Sequence, residues 1–358
     1  MQMGSLKPST SLIVPILSQP RQVIISSQPA DAITQTQWTS NPSGLDFPKN
    51  TPINSTSYDW WYFDAVASPT FSDDVAPQQP SVAFTFHTTG ADGFDLLGQQ
   101  FSDGILLSGN VVQILVTWPN GTHEDWLLPA GDAVFTLDGD GASAVFPGTG
   151  CAFYGAPDLS RYVVTVDAPE QGIVGSLVIE SESPPHYPCG PAEAGQPLQT
   201  APGGGWENAI PDGLAIAKFN VRGHELSFTG RGYHDHDFGN RPFSPRSRYA
   251  YWGHGRIGSY AVVWLSILPR DGLGVGDEYV SAYISRNGTV LKASCAPGDI
   301  LIRPFGENAT YPPHRSTGPP TGLEIRAEYA FTGVLGGMLG GEVLPDGVAL
   351  WEQFSLLE

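Results

Sequence analysis

Hydrophobic and polar residues alternate along most of this 358-residue chain in short runs, and a period of two is typical of β-strands. Turn-forming pairs such as Asn120-Gly121 and Asn287-Gly288 separate several of the runs. Glycine and proline, at 43 and 32 residues, would interrupt long helices but suit short strands joined by tight turns. We therefore predict an all-β fold, with strands at residues 57–66, 80–88, 94–97, 104–118, 124–128, 133–138, 142–146, 161–167, 173–180, 214–221, 225–230, 249–257, 260–268, 278–286, 289–293, 324–331 and 348–354.

The order of these strands predicts two domains. We expect an N-terminal β-sandwich over residues 1–240, in which the Ser/Pro/Gln-rich residues 1–50 form an extended lead-in along the body of the protein. The strands of residues 241–358 suit an up-and-down barrel, so a C-terminal lipocalin-like β-barrel is predicted there. Residues 183–206 are rich in proline and glycine and lack periodicity, which predicts a long irregular loop with the character of a lid.

One predicted strand is aromatic on both of its faces. Residues 57–66 read S-Y-D-W-W-Y-F-D-A-V, and alternation places Asp59 and Trp61 on one face and Trp60 and Tyr62 on the other. Aromatic side chains on both faces indicate that both are covered, one by the core and the other by a second layer or a cavity.

The densest group of titratable residues is the segment G-R-G-Y-H-D-H-D-F-G-N-R at residues 230–241. It suggests three alternatives: a metal site, an acid/base site or a buried structural network. Alternation on a strand would place His234 and His236 on one face and Asp235 and Asp237 on the other, so the four cannot all ligate one ion. A third ligand would have to come from elsewhere, and no spacing identifies it. We therefore predict no metal site.

Composition excludes several classes of partner. The formal net charge is −19 and only 17 residues are Lys or Arg, whereas nucleic acids and anionic membranes are bound by clustered basic residues. We therefore expect no nucleic-acid partner. We also expect no membrane span, because no apolar run approaches the ~20 residues that a transmembrane helix needs.

The cysteines and the N-terminal residues bear on the compartment. Cys151, Cys189 and Cys295 allow at most one disulfide and leave at least one thiol unpaired. The first residues lack an uninterrupted signal-peptide core, which favours a cytoplasmic protein. Four N-glycosylation sequons keep the lumen of the secretory pathway open as an alternative: Asn54, Asn120, Asn287 and Asn308.

Aromatic residues beside polar groups point to a small-molecule pocket. A cleft with aromatic walls and a few hydrogen-bond donors suits a long, apolar, partly conjugated ligand. The chain has no Rossmann, P-loop or nucleophile-elbow motif, so we expect no cofactor. Asp59 or Asp64 paired with Asp235 would suit acid/base chemistry, although the sequence does not show that they meet.

Two motifs together resemble a known family. The strand D-W-W-Y-F-D at 59–64 resembles the (E/D)-x-W-Y-x-D strand of the carotenoid-hydratase-like (AttH/CrtC-like) lipocalin-related proteins. The segment at 230–239 resembles their G-x-G-Y-x-D-(H/K)-N-(W/F)-G motif, with Asp237 in place of Asn and Phe238 in place of the common Trp. Y-W-G-H-G-R-I at 251–257 and A-L-W-E-Q-F near the C-terminus look like the fungal Diels–Alderases of secondary metabolism.

The resemblance covers roughly residues 50–358 and implies a function. It implies a β-sandwich, a lipocalin-like barrel and a pocket between them, with no metal and no organic cofactor. The implied activity is a stereoselective intramolecular [4+2] cycloaddition on a linear polyene, for example a polyenoyl tetramic acid. The departures from the motif imply a divergent substrate, including those of hetero-Diels–Alder reactions. The alternatives are a hydratase or isomerase on an isoprenoid or polyene, and a non-catalytic lipocalin-type carrier.

The resemblance also directs the choice of site residues. A cycloaddition needs the substrate held in a folded conformation and a hydrogen bond to its activating carbonyl. Tyr62, Tyr233 or His254 would donate that bond, and Asp59 and Asp235 would anchor polar ends. Asp235 and His236 have an equal alternative, a buried network that pins the two domains. The predicted catalytic residues are Asp59, Tyr62, Tyr233 and His254, and the predicted substrate-binding residues are Trp61, His234, Asp235, Trp252 and Trp351.

Overall fold

The protein is all-β, as predicted. The computed structural model describes residues 19–68, 79–94, 108–243, 247–269, 278–296, 300–304, 323–327, 331–339 and 342–355. The predicted strand at 94–97 lies mostly outside the described residues. Apart from a 3-10 turn at Pro169–Gln171, the described elements are β1 (Arg21–Ile25), β2 (Gln35–Thr36), β3 (Asn50–Thr51), β4 (Tyr58–Ala67), β5 (Ser81–Thr89), β6 (Asn110–Thr117), β7 (His123–Pro129), β8 (Ala133–Asp138), β9 (Gly141–Phe146), β10 (Cys151–Gly155), β11 (Arg161–Ala168), β12 (Ile173–Ser181), β13 (His186–Tyr187), β14 (Gly190–Pro191), β15 (Gln199–Ala201), β16 (Gly204–Val221), β17 (His224–Gly239), β18 (Ser247–Ile257), β19 (Tyr260–Pro269), β20 (Tyr279–Arg286), β21 (Thr289–Ser294), β22 (Ile300–Pro304), β23 (Leu323–Ala327), β24 (Phe331–Leu339) and β25 (Glu342–Ser355).

These strands form two large sheets and one small one. The first sheet has 15 strands in the order β1-β8-β9-β10-β11-β12-β16-β17-β4-β5-β6-β7, with β13 and β15 paired to β16 and β14 paired to β13. The second has eight strands in the order β21-β20-β19-β18-β25-β24-β23-β22. Strands β2 and β3 pair separately. The finer division into a sandwich over residues 1–240 and a barrel over 241–358 stays a prediction.

The first sheet curls around its own hydrophobic core. Trp61 on β4 packs against Phe135 on β8, with ring centroids 4.6 Å apart. Phe63 on the same strand lies 5.1 Å from Phe153 on β10. Because β4 is several places from β8 and β10 in the sheet order, these contacts require the sheet to bend back on itself. Most of the enclosed side chains are apolar, so their removal from water is the main force that holds the curl, although several charged side chains are buried on this face as well.

Strand β4 divides its aromatic residues between two environments, as its alternation predicts. Trp61 and Phe63 belong to the core of the first sheet, and both are fully buried. Trp60 and Tyr62 instead belong to a second apolar cluster, which includes Trp252 on β18. This strand therefore separates a closed core from a layer between the two sheets.

Residues 183–206 are not the irregular lid that their composition predicts. Leu198 and Trp206 are buried, and β13 to β15 fall within this segment. Its backbone also bonds to the second sheet, since Ser281 Oγ donates to the Pro188 carbonyl at 2.6 Å. Proline and glycine here serve tight turns between very short strands, a use that the composition alone does not reveal.

The three cysteines form one disulfide and leave one free thiol, within the limits that the sequence predicts. Cys189 and Cys295 form a disulfide that ties the 183–206 segment to the end of β21. Cys151 is a free, buried thiol, and burial raises its pKa to about 11. Within the described part of the chain, no helix has the length and hydropathy to cross a membrane.

Candidate functional site

The site is built on β17, between its neighbours β16 and β4. In the register of the sheet, Asp235 lies between Asn208 of β16 and Tyr62 of β4. His234 and His236 stack on Phe63 and Trp61 with centroid distances of 3.9 and 4.3 Å, so they face the core of the first sheet. The aspartates face the other way, and the predicted split of the motif is confirmed.

A small cavity lies where β4 and β17 face β18 and β19 of the second sheet. Its volume is about 70 Å³. Most of its lining consists of aromatic and aliphatic side chains, together with two aspartate carboxyl groups. The described residues that line it are Trp60, Tyr62, Asp235, Asp237, Phe243, Ala250, Trp252, Leu265 and Ile267. This composition is that of a pocket for an apolar ligand with a few polar groups.

Asp235 is a buried carboxyl group with one satisfied oxygen. Its Oδ2 accepts hydrogen bonds from Trp206 Nε1 and from the Tyr233 hydroxyl, each at 2.8 Å. Its Oδ1 has no hydrogen-bond partner among the described residues, and the residue is only 2% exposed. Burial raises the pKa of Asp235 to about 7 against the opposing effect of those two hydrogen bonds. A substantial fraction of the Asp235 carboxyl is therefore protonated at neutral pH, and Oδ1 is the oxygen without a partner that can carry the proton.

Tyr233 holds Asp235 in place and has no proton left for a substrate. Its hydroxyl accepts hydrogen bonds from Asn208 Nδ2 and, at 3.2 Å, from Trp252 Nε1. A tyrosine hydroxyl has one proton, and here it is donated to Asp235. Burial, followed by the nearby Asp235 charge, raises the pKa of Tyr233 well above its ordinary value, so the hydroxyl stays protonated. In this geometry the Tyr233 proton is directed to Asp235, and the role of Tyr233 as a carbonyl donor stays a prediction.

His254 contacts Tyr233 rather than the cavity. Its ring stacks on the Tyr233 ring with centroids 4.3 Å apart. Its Nε2 lies 2.9 Å from both carboxylate oxygens of Asp64, which is also buried. The His254–Asp64 pair therefore fixes the position of Tyr233, and the predicted donor role of His254 has no support from this arrangement.

Asp237 is the second carboxyl group of the cavity. Its Oδ2 accepts a hydrogen bond from Trp60 Nε1 at 3.0 Å. The Trp60 ring in turn packs against Tyr58 at 4.8 Å and Phe243 at 5.5 Å. This pair was not among the predicted site residues, although the register of β4 and β17 places the two residues directly opposite each other.

Three predicted site residues lie on the opposite face, away from the cavity. Asp59 accepts hydrogen bonds from the backbone N–H groups of Lys49 and Asn50 at 3.2 and 3.1 Å. Trp61 Nε1 donates to the Asp46 carbonyl at 3.1 Å, and His234 Nε2 lies 3.2 Å from Asp46 Oδ2. The predicted positions of Asp59, Trp61 and His234 in the pocket are corrected, because the odd residues of β4 and the even residues of β17 both face the first core.

The structure brings Tyr62, Asp235 and Trp252 together at the cavity, and their roles stay predictions. The ring of Tyr62 lies edge-on to Trp252 with centroids 5.1 Å apart. Trp351 is placed on β25 opposite Gly253 of β18, and its side chain lies outside the described residues.

The core face of β17 carries a buried charged network. Lys49 Nζ lies 2.8 Å from Glu207 Oε1 and also donates to backbone carbonyls of the preceding residues. Burial raises the pKa of Asp59 to about 8 and the pKa of Glu207 well above its ordinary value. Burial, reinforced by the Lys49 charge, lowers the pKa of His236, which is therefore neutral. Lys49 and His236 both contact Glu207 Oε1 inside the protein, while Glu207 Oε2 and His236 Nε2 have no hydrogen-bond partner among the described residues.

One group within this network has the composition of a metal site. Asp46, Glu207 and His236 each offer a ligand atom, and these atoms lie within 4.8 Å of one another. The Lys49 ammonium already supplies a positive charge to Glu207, at 2.8 Å. An added cation would meet that ammonium at close range, so the arrangement fits the structural-network alternative better than a metal site.

The sequence reasoning missed the partners that β16 supplies. Trp206 and Asn208 contact Asp235 and Tyr233, and Glu207 between them faces the core network. The pattern predicts no strand over residues 204–213, where the glycines at 203–205 continue the proline- and glycine-rich segment. Strands β16 and β17 form a hairpin in which Asn208 lies opposite Asp235. Recognition of this hairpin would have identified Trp206 and Asn208 as neighbours of the motif.

Comparisons with known proteins give the family. The family model described as Diels-Alderase-like matches residues 24–297. The quinolone epoxide rearrangement protein asqO of Emericella nidulans is 36% identical over 80% of this chain and 74% of its own length. The quinolone epoxide rearrangement protein penF of Penicillium thymicola is 33% identical over 80% of this chain and 76% of its own.

A solved structure shows the same fold. The crystal structure of CghA with Sch210972 aligns with a TM-score of 0.68, over 95% of this chain and all of the other, at 18% identity. At that identity the likeness concerns the fold alone. The family match and the two curated relatives show that this chain belongs to the Diels-Alderase-like family.

Proposed function

We propose that this protein is a cofactor-independent enzyme that rearranges an epoxide-bearing small molecule, with Asp235 as the acid. One observation carries the proposal. The Asp235 carboxyl lines an aromatic cavity, has a pKa near neutrality, and keeps one oxygen without a hydrogen-bond partner among the described residues. A carboxylic acid that stays protonated near pH 7 in an apolar site is suited to proton donation.

The reaction is an isomerisation in which atoms and charge balance. The proton on Asp235 Oδ1 is transferred to the epoxide oxygen, and one C–O bond breaks to leave a hydroxyl group and a carbocation. A neighbouring substituent or an internal nucleophile of the substrate then bonds to the cationic carbon. Loss of a proton from the rearranged substrate restores the acid. General acid catalysis of this kind contributes about 10²- to 10⁴-fold in rate.

The walls of the cavity suit the cationic intermediate. Trp60, Tyr62 and Trp252 line the cavity together with Asp235, and aromatic rings attract positive charge to their faces. Tyr62 and Trp252 are each 7% exposed, so the described walls leave little room for bulk water. Exclusion of water favours rearrangement, because water would add to the carbocation and give a diol.

The curated relatives support a flat heteroaromatic substrate. Both asqO and penF are named as quinolone epoxide rearrangement proteins. A quinolone-type ring would lie between the aromatic side chains of β4 and those of β18. We propose the same substrate class for this chain, with the described cavity holding the reactive epoxide end.

A second candidate is the [4+2] cycloaddition of a linear polyene, such as a polyenoyl tetramic acid. The Diels-Alderase-like family match supports it. In that reaction Asp235 would keep its proton and donate a hydrogen bond to the activating carbonyl, while the aromatic walls restrict the chain to a folded conformation. A sandwich over residues 1–240, a barrel over 241–358 and a pocket between them would suit either reaction.

A pH series with two substrates tests the proposal. The purified protein is incubated from pH 5 to pH 9 with an aryl-substituted quinolone epoxide and with a linear polyenoyl tetramic acid, and products are resolved by chiral liquid chromatography. The expected result is epoxide rearrangement that declines above about pH 7, because Asp235 loses its proton there. Turnover of the polyene alone, with little pH dependence, would replace the proposal with the second candidate.

Two further outcomes identify the remaining alternatives. Incorporation of ¹⁸O from labelled water into the product would indicate a hydratase. Tight binding of either compound without a change in product ratio would indicate a carrier. Asp235→Asn serves as the matched control in each assay, because it keeps the shape of the side chain and removes the acid.

A further inference from the structure

A second cavity lies next to the one that holds Asp235. Its volume is about 150 Å³, and it is bordered by the 183–206 segment and by strands β19 and β20 of the second sheet. Its lining includes the Cys189–Cys295 disulfide together with Tyr279 and Ser281 of β20. The chemistry described above makes no use of this cavity.

The two cavities are neighbours on one face of the second sheet. Trp252 of β18, Leu265 of β19 and Ser281 of β20 lie directly opposite one another in the register, so their side chains share a face. Trp252 lines the first cavity, Ser281 lines the second, and Leu265 lines both. The next row repeats this order, because Ile267 of the first cavity pairs with Tyr279 of the second. A ligand that reaches from one cavity into the other therefore passes along Leu265.

The first cavity is too small for a whole substrate of the proposed class. Its volume is about 70 Å³, whereas pockets for drug-sized ligands measure about 300–1,000 Å³. The reactive end of an aryl-substituted bicyclic ring would fill it, and the rest of the molecule needs further space. The second cavity offers that space directly across the shared wall.

The second cavity presents a hydrogen-bond acceptor to a ligand. The Ser281 hydroxyl donates its single proton to the Pro188 carbonyl at 2.6 Å, so toward a ligand it can only accept. The Thr200 hydroxyl, also in the lining, donates to the Gly204 carbonyl at 3.5 Å. Ser281 is 2% exposed, so an N–H group placed against it would be removed from water. A buried site that accepts an N–H group discriminates strongly against an analogue that lacks it.

We propose that the second cavity is the subsite for the end of the substrate remote from the epoxide, where Ser281 accepts a hydrogen bond from a ring N–H group such as that of a lactam. This inference rests on the proposed function, which places the epoxide beside Asp235. The Cys189–Cys295 bond ties the 183–206 segment to the end of β21 and so fixes one wall of the subsite. Epoxides without the N–H group would reach the acid but would bind more weakly.

Binding of an aryl-substituted quinolone without an epoxide tests the subsite directly. Calorimetry compares this quinolone with its N-methyl derivative on the native protein and on Ser281→Ala. The native protein should bind the N–H compound at least tenfold more tightly, because methylation removes the donor and crowds the hydroxyl. In Ser281→Ala this preference should fall at least fivefold. Ser227→Ala, at an exposed position of β17, makes the same change outside the cavity and should keep the native preference.

Kinetics with a filled cavity provide the second readout. Ser281→Leu places a larger side chain in the second cavity. It should raise KM for the aryl-substituted quinolone epoxide at least tenfold, and it should raise KM far less for a short aryl epoxide that fits the first cavity alone. Ser227→Leu is the matched control, and thermal unfolding checks that each variant is folded. The calorimetric comparison on the native protein needs no variant, so it decides even where Ser281→Leu is unstable.

The two readouts separate failure of this inference from failure of the proposed function. Equal affinity of the native protein for the two quinolones, or an equal rise in KM for the two epoxides, would overturn the subsite and leave the epoxide reaction standing. A preference for the N–H compound that is lost in Ser281→Ala, in a protein that turns over neither epoxide, would uphold the subsite and overturn the epoxide reaction.

Discussion

The two faces of β17 carry similar titratable residues but have different roles, one structural and one at the cavity. On the core face, His234 and His236 stack on aromatic rings and join Asp46, Glu207 and Lys49 in a buried network. On the cavity face, Asp235 keeps an oxygen without a partner among the described residues. Both faces are buried, so burial alone does not identify a functional group. Asp46 Oδ1, Glu207 Oε2 and His236 Nε2 also lack a hydrogen-bond partner among the described residues, so the distinguishing feature of Asp235 is its place beside a cavity that a ligand can fill.

The largest effect is expected from removing the acid on the cavity face. Asp235→Asn should lower kcat/KM with the productive substrate by about 10²- to 10⁴-fold, the usual contribution of a general acid. The variant should remain folded, because the amide keeps an oxygen that can accept the Trp206 and Tyr233 hydrogen bonds. Steady-state kinetics and circular dichroism check the two parts. Activity within threefold of the native enzyme would contradict the assignment of Asp235.

A matched substitution on the core face should lower the stability of the protein without lowering the rate of the reaction. Lys49→Met removes the ammonium that lies 2.8 Å from Glu207 and leaves buried carboxyl groups without their cation. Breaking a buried ion pair in this way costs about 3–5 kcal/mol of unfolding free energy. Urea unfolding measures the loss, and adding Glu207→Gln to the variant should recover part of it. A folded variant with stability unchanged would show that the network is not paired as described.

Part of the pH dependence of stability should come from the core face. The folded-state pKa of Asp59 is about 8, above its ordinary value of 3.8, so the folded protein binds this proton more tightly than the unfolded chain. The stabilisation is fully present below about pH 3.8 and is lost as the pH rises through about 8. Asp59→Asn should therefore flatten the decline of unfolding free energy between these limits. The pKa values of Glu207 and Asp235 are raised as well, so the slope should shrink rather than vanish. Identical slopes in the native protein and the variant would refute this.

Alternation along the strands predicted much of this arrangement. It correctly separated His234 and His236 from Asp235, and it gave the two faces of β4. It did not show which face of β4 lines the cavity, because the face with Asp59 and Trp61 and the face with Tyr62 both repeat with a period of two. That choice depends on how the first sheet curls and where the second sheet packs, and both involve contacts between distant parts of the chain. Trp206 and Asn208 were missed because the adjacent glycines at 203–205 are typical of a loop.

The smallest effect is expected at Tyr233, and it distinguishes a positioning residue from a donor. Tyr233→Phe removes a hydrogen bond to Asp235 that lowers the pKa of that carboxyl. The pH at which activity declines should therefore move upward from about 7, while kcat below that pH falls by less than about tenfold, the scale of one neutral hydrogen bond. A full pH–rate profile of the variant measures both quantities. Loss of 10²-fold or more without a shift in the profile would instead show that the Tyr233 proton is donated to the substrate. Tyr233→Phe and Asp235→Asn alter two side chains that share one hydrogen bond. A much larger loss of rate in Asp235→Asn would show that the proton transferred to the substrate comes from Asp235.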